Sequence, residues 1–110
     1  VTWGSPVERE VRLRIQISVA AYAYEIAAKP IMPDALFDWL AGMVNRRQGT
    51  CHPLLDEFFA REFSPMTGMW VHNHPELAGI ERTFTRYYNT MREHFSNPEF
   101  QRRVREGSTK

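Results

Sequence analysis

Two prolines three residues apart, Pro30 and Pro33, interrupt the most apolar helical pattern in the chain and restrict the fold more than any other feature. Proline lacks a backbone donor and biases its predecessor away from the α region, so Lys29-Pro30 and Met32-Pro33 end one helix and let another begin. Upstream, Val7, Val11, Ile15, Val19, Tyr22 and Ile26 form one stripe at helical spacing, with Leu13, Ile17, Ala20 and Tyr24 in a second beside it. Two adjacent stripes imply a helix over 7–28 covered on more than half of its circumference. Its charges, Glu8, Arg9, Glu10, Arg12 and Arg14, crowd the first turns. The run from Ile15 to Tyr24 is too short to span a bilayer, which takes about 20 apolar residues, so this segment reads as the central helix of a soluble domain.

Downstream of the prolines, Asp34 is placed to accept from the free N–H groups that open a second helix, expected over 34–44. Leu36, Phe37, Leu40 and Met43 would face inward and Trp39 another way. Asp34 and Asp38 share a face at i, i+4, and with Tyr24 and Phe37 they outline a polar, aromatic notch at the joint between the two helices. Three further prolines follow a polar residue, in His52-Pro53, His74-Pro75 and Asn97-Pro98. At the first helical position a missing donor costs little, so helices are expected over 53–62, burying Leu54, Leu55, Phe58 and Phe59, over 75–95, and over 98–105. In the long one, Leu77, Ile80, Phe84, Tyr87, Met91 and Phe95 align on one face. Met69-Trp70-Val71 reads as a short extended piece between loops. The expected fold is all-α, about five helices built on the two long ones.

The joint sequence resembles the small helical Ia domain at the N-terminus of NAD-dependent DNA ligases, whose pattern runs Tyr-His, a turn with Pro, Asp-Ala-x-Tyr-Asp, then Leu. Here it stands as Tyr24-Glu25, Pro30, Asp34-Ala35-Leu36-Phe37-Asp38 and Leu40, without insertion or deletion, within roughly residues 11–45. The resemblance implies a clamp for the nicotinamide mononucleotide (NMN) half of NAD. Tyr24 and Phe37 would stack on the pyridine ring, and Asp34 and Asp38 would accept hydrogen bonds. Glu25 stands at the family's histidine position, where it would repel a phosphate, and Phe37 keeps the ring of the family's tyrosine without its hydroxyl. A whole ligase is excluded, because its nucleophile is the lysine of Lys-x-Asp-Gly and the only lysines are Lys29 and Lys110. The implied protein is a non-catalytic module recognising NAD or NMN, or an accessory piece of a split ligase.

Length and composition agree with that scale. With 110 residues, 43% hydrophobic and 25% charged, the chain suits one helical domain over 7–106 between short tails, 1–6 and 107–110. A formal net charge of +1, with Arg46-Arg47 and Arg102-Arg103 with Arg105 forming short runs and not a stripe, argues against a strongly basic nucleic-acid binder. Cys51 is the only cysteine, so no intramolecular disulfide can form. No signal peptide is evident, and a cytoplasmic location is expected.

Other chemistries are poorer fits. Cys51, His52, His72 and His74 are residue types that zinc uses, yet adjacent Cys and His are an unusual ligand pair, and His52 and His74 already make sense before helix-opening prolines. His72-Asn73-His74-Pro75 resembles the His-x-His-Pro of JAMM-type metalloproteases, but Arg82 and Thr85 occupy the positions where that motif needs Ser and Asp. Nothing supplies Cys51 with an activating environment. The alternative to nucleotide recognition is a small interaction protein, an adaptor or inhibitor of a phage-related kind, docking on a protein partner through Trp3, Trp39 or Trp70.

Overall fold

The structure is a computed structural model that describes residues 5–100 and residue 102. Trp3, Val104, Arg103, Arg105, most of the 1–6 tail and all of the 107–110 tail lie outside those residues. The fold is all-helical: α1 (Pro6–Glu25), α2 (Asp34–Gly42), α3 (Pro53–Arg61), a 3₁₀ helix η1 (Met69–Asn73) and α4 (Leu77–Ser96), with helix resuming at Pro98. No strand occurs among the described residues. None of the helices is long and apolar enough to cross a membrane.

Ser5 opens α1: its hydroxyl accepts from the Glu8 N–H at 3.1 Å, and Pro6 fills the first helical position. The helix ends at Glu25, earlier than the prolines require. Ala28 takes the left-handed conformation (φ 56°), and the Lys29 N–H donates to the Ala23 carbonyl at 2.8 Å. The chain has therefore turned before Pro30 is reached. Ile31 and Met32 then tuck into the core at 1% and 8% exposure.

α1 is the central helix, packing on α2, η1 and α4. Its buried face differs from the two expected stripes. Ile17 and Val19 to Ala23 are buried on nearly every side, whereas Val7, Ile15, Tyr24 and Ile26 are exposed. The N-terminal half buries Leu13 of the second stripe together with Glu10 and Arg14, and Ser18 is buried further along. Small residues explain the second half, since Ala20, Ala21 and Ala23 let neighbouring elements approach closely. Gly68, just before η1, packs on this stretch: a Cβ there would lie 3.3 Å from that of Ala21 and 3.4 Å from Glu25 Cγ.

The two long helices meet as their stripes require at one pair, Tyr22 and Phe84, whose ring centroids are 5.3 Å apart. Tyr87 leaves the expected stripe. α4 kinks at that residue (φ −115°, ψ 15°), which turns Tyr87 out to solvent and brings Tyr88 in against Phe84. Ile26 and Met43 are likewise exposed, the first at the cap of α1 and the second just past the end of α2. In α3, Phe58 and Phe59 are buried but Leu54 is 72% exposed, because it sits one position past Pro53, on the side facing away from the core. Met69-Trp70-Val71 is a 3₁₀ turn and not an extended piece. That turn drives Trp70 into a cluster with Phe58, Phe59 and Phe63, leaving it 4% exposed and unable to act as a surface anchor.

Candidate functional site

The joint between α1 and α2 is fixed from beneath by Ile31, Met32, Leu36 and Leu40, all buried. On this base Tyr24 stands 51% exposed, and Asp34 and Asp38 are both exposed. Neither carboxylate has an ion-pair partner among the described residues. Asp34 is not the helix cap: Pro33 takes that position without a side-chain bond, and Asp34 lies in the first turn, where its charge complements the helix dipole. Phe37 points into the core at 9% exposure. Tyr24 is therefore the open ring of the pair, and Phe37 forms part of the floor. Glu25 is half-buried, its side chain lying along Gly68. The Tyr24, Asp34 and Asp38 side chains thus face solvent, while Glu25 and Phe37 are held by packing.

A second polar arrangement, which the sequence reading missed, lies further along α1. The Arg14 side chain is 5% exposed, and its Nε donates to Glu10 at 2.8 Å. One terminal nitrogen donates to Asp56 at 2.8 Å, and the other to the carbonyls of Asn45 and Gln48 at 2.9 and 3.0 Å. Glu10 accepts in turn from the Asn45 N–H, and Asp56 from the Thr50 N–H and hydroxyl. The guanidinium also lies 4.9 Å from the Phe59 ring centroid. Desolvation pushes the Asp56 carboxyl up, but the hydrogen bonds from Thr50 and Arg14 outweigh it, and the group titrates below its ordinary value. Cys51, next to Thr50, adopts a positive φ of 66°, so the node also holds a strained turn. The only sequence signal was the i, i+4 pairing of Glu10 with Arg14, which on most helices is a solvated pair.

Beside this node is a cavity of about 360 Å³ between α1, α3, the 50–52 turn and the start of α4. Ser18, Phe59, His74 and Ile80 are buried at its inner side, while Ile15, His52 and Glu76 are exposed at its rim. His74 Nδ1 accepts from the Glu76 N–H at 2.9 Å, which leaves the ring proton of the neutral form on Nε2. Burial pushes this imidazole below its ordinary value, with the Glu76 carboxylate pulling the other way. The Ser18 hydroxyl is buried and has no hydrogen-bond partner among the described residues.

The remaining candidates do not assemble. His52 and Cys51 are exposed on the turn before α3, His72 is exposed on η1, and His74 is buried. No group of three or more His, Cys, Asp or Glu side chains among the described residues could hold a metal. Arg46 is committed to structure, donating to the Phe59 and Ala60 carbonyls near the end of α3 at 3.2 and 2.8 Å. Compared with known proteins, this chain matches no protein family, no curated protein and no solved structure.

Proposed function

We propose that the protein is a non-catalytic binding module that holds the nicotinamide-nucleoside part of NAD or NMN at the α1–α2 joint. The observation that carries this reading is the half-exposed Tyr24 ring near the end of α1, together with the exposed carboxylates of Asp34 and Asp38 in α2, across a joint anchored by buried Ile31, Met32, Leu36 and Leu40. A pyridine ring stacks on Tyr24, with Phe37 bracing the joint from below. The two carboxylates accept from the carboxamide or ribose hydroxyls, and hydrogen bonds to ionised acceptors are the stronger kind. Glu25 disfavours a phosphate nearby by like-charge repulsion. The riboside should therefore bind at least as well as the mononucleotide. Because the chain has no adenylation lysine motif, any ligation chemistry would have to come from a partner.

Calorimetric titration with nicotinamide riboside, NMN and NAD tests the reading. Heat at millimolar ligand that is lost in Tyr24→Ala and Asp38→Ala, together with improved NMN binding in Glu25→His, supports it. No heat, or binding indifferent to both alanine variants, leaves the joint as scaffold. The alternative, a protein-docking adaptor or inhibitor, cannot use Trp70. Its support is the strongly exposed Leu54, Met66 and Met69, at 72%, 88% and 57%, and co-purification weakened by Met66→Ser with Met69→Ser would favour it.

A further inference from the structure

The cavity between α1, α3 and α4 is separate from the joint and combines three properties that together define a ligand. It is roomy: about 360 Å³, within the range of small-molecule sites. Its walls are mainly apolar, from Val11, Ile15, Leu55, Phe59 and Ile80. Ser18 lines its inner side, is 1% exposed, and its hydroxyl has no hydrogen-bond partner among the described residues. A buried polar group without a partner costs free energy that a bound molecule can recover.

The polar groups also set the sign of the charge. Arg14 lines the cavity, but its Nε and both terminal nitrogens already serve Glu10, Asp56 and two backbone carbonyls. Arg14 therefore offers no free charge to an anion, and the Glu76 carboxylate at the rim adds a negative one. The Thr83 hydroxyl donates to the Gly79 carbonyl at 3.0 Å. His74, its Nδ1 occupied by the Glu76 N–H, can present only an Nε2 donor while neutral. We propose that this cavity is a binding site for a small neutral molecule that pairs an apolar ring or chain with a carbonyl-type acceptor, the acceptor meeting the Ser18 hydroxyl.

The test follows backbone amide shifts by ¹H–¹⁵N NMR on the full chain with three probes: acetophenone, toluene and benzoate. Acetophenone at millimolar concentration should move the amides of Ser18, His74 and Thr83, and should bind tighter than toluene. Ser18→Ala should weaken acetophenone about fivefold, as one hydrogen bond is worth, while leaving the melting temperature unchanged or raised, because the variant removes an unpaired hydroxyl. Gly79→Leu, at an open position whose Cβ has no contact closer than 3.7 Å, should block the site. Equal affinity for toluene and acetophenone, preference for benzoate, or shifts confined to Tyr24, Asp34 and Asp38 would each overturn the proposal. So would acetophenone binding unaffected by both variants. The joint is tested by separate ligands and variants, so either reading can fail alone.

Discussion

The α1–α2 joint, at the C-terminal end of α1, and the Arg14 node, near its middle, are both built around carboxylates, but they are held in opposite ways. At the joint, the apolar side chains Ile31, Met32, Leu36 and Phe37 are buried and the charged ones are left in water. At the node, the charges themselves are buried: Glu10 and Arg14 are 6% and 5% exposed and tie α1 to the 45–50 loop and to α3. The comparison separates side chains free to meet a ligand from side chains spent on architecture. A charge left in water at a rigid place costs little and remains available. A buried charge with every neighbour satisfied is part of the scaffold.

The sharpest way to break this distinction is to remove the central cation. Arg14→Ala leaves Glu10 and Asp56 without their partner, and loss of one member of a buried pair should cost about 3–5 kcal/mol in urea unfolding. Replacing Glu10, Arg14 and Asp56 together by apolar residues of similar size should not recover that loss, because the Asn45 and Thr50 N–H groups and the Asn45 and Gln48 carbonyls would then lose their partners. If Arg14→Ala costs less than ~1 kcal/mol, the node is a solvated pair of the ordinary kind. Phe84→Ala, which removes the ring facing Tyr22, should cost about 3–5 kcal/mol by the same measurement, at the lower end if α4 relaxes at its kink.

A smaller effect comes from His74. Its folded pKa is lowered by burial, so the unfolded chain takes up a proton first as the pH falls. The neutral imidazole's full contribution is present above the ordinary histidine value near 6.5, and it is lost as pH falls from there through the folded value. Melting temperatures should therefore drop between pH 7 and pH 5. His74→Asn, whose side chain can still accept from the residue 76 N–H, should flatten that part of the profile. Asp56 carries the same sign at lower pH: its folded value is depressed, so its contribution holds above the ordinary carboxylate range and disappears on further acidification. The smallest expected effect is at the joint, where Tyr24→Ala and Asp38→Ala should each change stability by no more than about 0.5 kcal/mol, as exposed substitutions do. A large loss there would mean that the joint, like the node, is architecture.

Much of the fold was legible because it is punctuated locally. Pro53 opens α3, since proline dispenses with a backbone donor where a helix begins, whereas the Ser5–Pro6 opening of α1 lies in the stretch expected as tail. The inward faces of Leu36, Phe37, Leu40, Phe58, Phe59, Ile80 and Phe84 follow from helical period alone. Period also misled, at residues where another element decides the environment. Ile15 and Leu54 are as apolar as their buried neighbours and yet exposed, because no described element packs closely over either of them. Tyr87 and Tyr88 exchanged roles through a kink that no proline or glycine announces.

By itself the sequence determined an all-helical chain, the break between its first two helices, and a joint that sets Tyr24, Asp34 and Asp38 close along the chain. Those are matters of backbone donors and of spacing along one strand of polypeptide. Only the tertiary structure decided that Glu10 and Arg14 are buried, that Trp70 is core, and that Ser18, its hydroxyl without a partner among the described residues, lines a cavity. Each of these depends on residues tens of positions apart arriving at the same place. A side chain's environment is set by what packs against it, and residue type alone could not distinguish a buried Arg14 from the solvated arginines beside it.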